Sequence, residues 1–131
     1  MDLPSKESVF DFDHTGVDTG KRYEGQFKVL CLLDMGQKHR LELEKTRLLG
    51  NYANPTDGLA GIAIILANLR VKIVDAPEWW KQSNGGYNVQ DEDALVALYD
   101  KVLEAEVEWR KQMIEKGKKA QAETASPSST Q

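Results

Sequence analysis

The stretch "VFDFDHTGVDTGKRYEGQFKVLCL", residues 9–32, determines the predicted fold. Its first part alternates apolar and acidic residues, which is typical of a half-exposed β-strand. After a turn-like segment the alternation resumes, and it places Tyr23, Phe27 and Val29 on one side of a second strand. Two alternating runs around a glycine-containing turn predict a β-hairpin. Gly25 interrupts the second run, which indicates a bulge or a close approach of another part of the chain.

The pattern becomes helical after the hairpin. Asp34 is the predicted N-cap of a charged helix that ends at Gly50, and its leucines form only a narrow apolar stripe. In the next helix, apolar residues recur at spacings of three and four as far as Ile73, which predicts a buried central helix. Pro77 ends that region, because proline disfavours a helical residue before it.

A short helical turn at "PEWW" and a glycine turn follow, and a long last helix is predicted from Asp91. The fold class is therefore α+β, with an N-terminal β-hairpin followed by about three helices. A chain of 131 residues is sufficient for one modest core. We place this single domain at residues 9–116, between a polar N-terminal arm (1–8) and a polar C-terminal tail (117–131), both expected to be flexible.

Composition argues against several classes of function. A net charge of −4 disfavours direct nucleic-acid binding, which requires a basic face. Cys31 is the only cysteine, so an internal disulfide and a cysteine zinc site are excluded. The N-terminal segment has no signal-peptide pattern, and the longest apolar stretch, Leu59–Leu69, is too short to span a bilayer. We therefore expect no membrane association.

One short motif suggests an enzyme. The run from Asp11 to Thr15 reads D-x-D-x-T, which resembles the nucleophile loop of haloacid-dehalogenase-like phosphatases. In that family the first aspartate attacks a phosphoryl group, the second acts as general acid and base, and magnesium is required. The chain lacks the βαβ alternation of that fold, and the acidic cluster at Asp91 is explained by a helix N-terminus. We therefore expect an acidic strand and turn, with no catalytic residue, metal site or cofactor.

The aromatic and leucine residues suggest contact with other proteins. Neighbouring Trp79 and Trp80 point in different directions on a helical turn, so one is expected in the core and the other at the surface. An exposed tryptophan is a common anchor of protein interfaces. Together with Leu41 and Leu48 of the first helix and Tyr87 of the glycine turn, these tryptophans form the predicted set of interface residues.

The order of these elements resembles small structural or assembly proteins of tailed bacteriophages. The resemblance covers roughly Thr19 to Met113, and "LRVKIVDAPEWWKQSNGG" is its most characteristic segment. It implies a non-enzymatic virion protein, assembled in the host cytoplasm, that docks on other phage structural proteins in the head, neck or tail. It is also compatible with a homo-oligomer. A tail-assembly chaperone, absent from the mature particle, is the alternative, and the phosphatase is a third hypothesis.

Overall fold

The computed structural model describes residues 6–50 and 57–129, with side chains described for residues 6–50 and 60–118. The elements in chain order are β1 (Glu7–Thr15), β2 (Arg22–Leu30), α1 (Met35–Leu49), α2 (Asp57–Lys72), β3 (Ile73–Asp75), α3 (Glu78–Lys81) and α4 (Glu92–Ser129). An antiparallel sheet comes first and the helices follow it, so the predicted α+β class is confirmed.

Strands β1 and β2 form the predicted hairpin. They pair antiparallel in an unbroken register from Glu7 opposite Leu30 to Thr15 opposite Arg22. Alternate side chains face the helices, as the sequence pattern requires. The buried side chains on that face include Phe12, Tyr23 and Phe27.

Gly25 lies on the same inner face, opposite Phe12. Its φ of +146° is unfavourable for residues with a side chain, and a Cβ atom placed there would lie 2.6 Å from the Cβ of Pro77. The close approach predicted at this glycine is therefore confirmed, with Pro77 as the neighbour.

The sequence prediction is wrong at Ile73. Helix α2 ends at Lys72, and the next three residues form β3, which pairs with β2 and places Ile73 opposite Val29. The apolar spacing of a helix is also compatible with a short strand, and β-branched residues favour extended backbone. The free edge of β2 supplies the backbone partners, which a local pattern does not reveal. The sheet order is β1-β2-β3.

The core lies between the inner face of the sheet and helices α2 and α4. Its fully buried members come from all three, and they include Phe27, Leu69, Leu98 and Val102. At the edge of this core the buried ammonium of Lys72 lies 2.5 Å from a Glu106 carboxylate oxygen. This ion pair connects α2 to α4.

Helix α1 is defined by its two caps. The Asp34 carboxylate accepts a bond from the Gln37 amide, and the Gln37 side chain accepts one from the Asp34 amide, which forms a capping box. At the other end Gly50 adopts a φ of +66°. Both predicted ends of this helix are confirmed.

Helix α4 extends further than predicted. It continues through Gly117 to Ser129, so the helix includes most of the residues that were predicted to form a flexible C-terminal tail. A single glycine costs a helix only about 1 kcal/mol relative to alanine, and the lysine, alanine and glutamine residues that follow are good helix formers. At the other terminus β1 begins at Glu7, within the predicted arm. The arm residues 1–5 and tail residues 130–131 lie outside the described part of the chain.

Candidate functional site

The two tryptophans of α3 occupy different environments. Trp80 is buried, with 6% of its surface exposed. Trp79 is half-buried, and its indole N–H donates to the Glu24 carbonyl at 2.8 Å. The Trp79 ring contacts Phe12, Tyr23 and Phe27, the residues that surround Gly25 on the inner face of the sheet, and it contacts Trp80 as well.

This arrangement matches the expectation of one core tryptophan and one nearer the surface. The missing side chain at Gly25 allows Pro77 to approach the sheet, and Pro77 starts the turn that carries both indoles. Trp79 also lines a surface depression together with Tyr23 and Asn88. Trp79 is therefore the member of the pair that another molecule could reach.

Tyr87 is exposed and lies against a cation. The Arg70 guanidinium carbon is 4.5 Å from its ring centroid, a cation–π distance. Arg70 donates to the Asn84 and Gly85 carbonyls and forms an ion pair with Glu44 of α1 at 2.9 Å.

Arg70, Glu44 and Tyr87 form a group that we call the Arg70 cluster. It fixes α1 to the turn before α4. The Glu44 carboxylate also accepts from Arg47, and the two guanidinium groups, with Arg47 the larger influence, hold the pKa of Glu44 at about 2. Tyr87 is thus part of the joint between α1 and the rest of the fold.

The remaining predicted interface residues lie on α1. Leu41 and Leu48 are half-buried, and Leu48 packs against the core. Helix α1 contacts α2, yet none of its residues is buried. Met35 and Leu43 are the large apolar residues that α1 exposes, at 73% and 56%. The predicted set of interface residues contains the half-buried leucines and omits these two exposed residues.

The D-x-D-x-T residues lie within an edge strand. Asp11 and Asp13 are exposed on the face of β1 that points away from the core. Asp13 receives two bonds from the Arg22 guanidinium, at 2.9 and 2.8 Å, and this pairing lowers the pKa of the Asp13 carboxyl. The phosphatase hypothesis requires these aspartates at the end of a strand in a parallel sheet, whereas β1 pairs antiparallel with β2.

A buried carboxylate at Asp91 holds the hairpin turn against α4. It is fully buried and accepts from the backbone amides of Asp18 and Thr19, from the Thr19 hydroxyl and from the Tyr23 hydroxyl, at 2.5 to 3.0 Å. These bonds, first that of the Thr19 hydroxyl, hold the pKa of Asp91 at about 2. A Cβ at Gly16 would lie 2.1 Å from the Asp91 Cγ, so the turn closes around this carboxylate.

Asp93 strengthens the same connection. It lies 2.6 Å from the His14 ring and accepts from the Val17 amide at 3.1 Å, and these bonds lower the pKa of its carboxyl, with His14 the larger influence. The sequence prediction explained Asp91 and Asp93 by their position at the start of a helix. In the structure their carboxylates bind the hairpin turn, which lies more than seventy residues earlier in the chain, so no local pattern of the sequence indicated this contact.

Residues 6–50 and 57–129 contain no group of three or more histidine, cysteine, aspartate or glutamate side chains placed to hold a metal ion. None of the helices described there has the length and hydropathy needed to cross a membrane.

Comparison of the chain with known protein families, with curated proteins and with solved structures found no match.

Proposed function

We propose that this protein is a non-enzymatic structural component of a tailed-phage virion, and that it acts by docking on neighbouring virion proteins. The observation that carries the docking proposal is helix α1, which buries none of its residues. The phage setting follows from the resemblance of residues 19–113 to small phage structural proteins.

A helix that buries none of its residues is stabilised when it packs against a partner. Isolated helices of about 15 residues are marginal in water and depend on packing for stability. Helix α1 packs on one side against α2, and its capping box and the Glu44–Arg70 ion pair hold it in place. Its other side exposes Met35 and Leu43, which a docked protein would remove from water.

Two of the predicted interface residues are accessible elsewhere on the molecule. Trp79 is accessible beside the depression that it lines, and Tyr87 is exposed on Arg70. Aromatic and arginine side chains are enriched at the energetic centres of interfaces. The proposed contact surface therefore consists of the outer side of α1, with Trp79 and Tyr87 as further candidates.

Quantitative mass spectrometry of purified particles from the producing host tests the proposal. A structural component is present in the particles at a fixed ratio to the other virion proteins. A protein abundant in the lysate but absent from the particles would instead be the tail-assembly chaperone. Phosphatase activity that is lost in Asp11→Asn would overturn the non-enzymatic proposal.

A surface variant tests the role of α1. Leu43→Asp places a charge on the exposed side of the helix and is expected to reduce incorporation into particles without unfolding the protein. The matched control is Val74→Asp in β3, where a similarly exposed apolar residue is replaced. Equal incorporation of both variants and the wild type would refute α1 as the docking surface.

A further inference from the structure

Helix α4 carries a second apolar stripe on the side away from the core. Val96, Leu103, Val107 and Ile114 are between 37% and 53% exposed. Because an α-helix turns about 100° per residue, these four side chains lie within about 40° of one another around the axis. They form one straight line along the helix, which we call the outer stripe.

The outer stripe is distinct from the face that α4 contributes to the core. The core face consists of Leu95, Leu98 and Val102, and on the helical wheel its centre lies well over 90° from the outer stripe. A helix with one partner needs one apolar face. The second face of α4 therefore indicates a second partner.

The spacing of the outer stripe is that of a helix-pairing seam. Successive members are separated by seven, four and seven residues, so on a heptad repeat they occupy two d and then two a positions, with Asp100 and Arg110 at the core positions between them. The same spacings are obtained in either direction, with the midpoint at the level of Ala105. A stripe that reads the same in both directions matches an antiparallel copy of itself.

Near the outer stripe, within about 60° of it around the helix axis, the charges do not share this symmetry and change sign along it. Glu92 and Asp100 lie beside its N-terminal half, and Arg110, Lys111 and Lys118 lie beside its C-terminal half. Glu104 and Glu108 lie further round the helix, next to Leu103 and Val107. Within the described part of the chain, Asp100 and Arg110 form no ion pair with another side chain. Two parallel copies would place like charges together, whereas two antiparallel copies place acids beside bases.

We propose that the outer stripe of α4 pairs antiparallel with that of a second copy of this chain. Centred at Ala105, the pairing places Val96 opposite Ile114 of the second copy, and Leu103 opposite its Val107. The same alignment places Asp100 opposite Arg110 and Glu92 opposite Lys118, each twice by symmetry. Apolar positions and opposite charges therefore match in one and the same register.

Sedimentation equilibrium of the full chain tests the existence of this dimer. The wild type is expected to have twice the monomer mass at high micromolar concentration. Leu103→Asp combined with Val107→Asp puts four carboxylates into the seam and is expected to yield a monomer. Leu43→Asp on α1 is the matched control and is expected to remain dimeric. A wild-type protein that stays monomeric throughout this range would overturn the proposal.

A charge exchange tests the antiparallel register. Asp100→Arg alone places two arginines together at each end of the seam, and Arg110→Asp alone places two aspartates there, so each variant is expected to dimerise at least tenfold more weakly. An equimolar mixture of the two variants restores both opposite-charge pairs and is expected to recover the wild-type affinity. A mixture no stronger than its components would refute this register.

These results are independent of the phage proposal, which depends on α1. If the Leu103→Asp, Val107→Asp variant is monomeric and still enters particles, the proposed function is unaffected. A dimer of wild-type protein that is absent from particles would support the α4 pairing and refute the virion role. Circular dichroism of each variant shows whether it retains its fold.

Discussion

Helices α1 and α4 both expose apolar residues, but the rest of the molecule holds them differently. Helix α4 buries Leu95, Leu98 and Val102 in the core, and Asp91 at its start binds the hairpin turn. Helix α1 buries no residue and is fixed by its caps, by α2 and by Glu44. Helix α4 therefore supports the fold with one face and exposes a second, whereas α1 contributes little to the core and exposes Met35 and Leu43.

The largest difference between the two helices is expected from leucine truncation. Leu98→Ala in α4 removes a side chain with no exposed surface, and the resulting cavity is expected to cost about 2–5 kcal/mol of unfolding free energy. Leu43→Ala in α1 is expected to change it by less than about 0.5 kcal/mol. Urea unfolding of both variants measures the two values. Similar losses would show that α1 contributes to the core as α4 does.

Glycine substitutions are expected to destabilise the fold in the sheet but not in α1. Gly25→Ala places a Cβ against Pro77 at a positive φ, and it is expected to destabilise the fold by about 1–3 kcal/mol. Gly36→Ala in α1 meets only the Asp34 carboxylate at 3.4 Å and is expected to be neutral or stabilising by up to about 1 kcal/mol. Thermal unfolding compares them, and a destabilised Gly36→Ala would contradict the solvent-facing position of α1.

The buried carboxylate of Asp91 allows a more local test of how the start of α4 supports the fold. Asp91→Ala leaves the Asp18 and Thr19 amides without their acceptor, so the unfolding midpoint is expected to fall by several degrees. Hydrogen exchange should show faster exchange at these two amides, whereas amides of α1 keep their rates. Asp11→Ala on the outer face of β1 is the control. An unchanged turn in Asp91→Ala would refute its role.

Both helices are also expected to contribute to a dependence of stability on acid. The pKa of Asp91 and that of Glu44 are about 2, below the ordinary 3.8 and 4.5. A carboxyl group whose pKa is lowered by folding stabilises the fold at pH values above its ordinary pKa. This contribution is lost as the pH falls from the ordinary pKa towards the folded-state pKa, here from about pH 4.5 to about pH 2. Denaturant unfolding across this range measures the loss.

Two variants assign this acid dependence to its source. Asp91→Asn is expected to reduce the acid dependence by weakening the contact with the hairpin turn. Glu44→Gln is expected to reduce it by weakening the Arg70 cluster. A pH profile that neither variant alters would contradict both assignments. A profile altered by only one would identify the helix whose ion pairs or hydrogen bonds matter in acid.

Local patterns predicted much of the fold. The alternation in residues 9–32 predicted the hairpin and its buried face, and Asp34 and Gly50 predicted the ends of α1. These features depend on neighbouring residues only, so a sequence pattern contains them. The pattern failed at Ile73, where the partner is a strand edge more than forty residues away in the chain.

Of the candidate sites, the sequence by itself determined that Trp79 and Trp80 would differ and that α1 would have little to bury. Only the tertiary structure decided that Trp80 is the core residue, because the close approach of Pro77 to Gly25 orients the helical turn that carries both tryptophans. The tertiary structure also places the hairpin turn against the Asp91 carboxylate and leaves the outer stripe of α4 exposed. Each of these outcomes depends on which elements pack together, and that choice minimises exposed apolar surface over the whole chain.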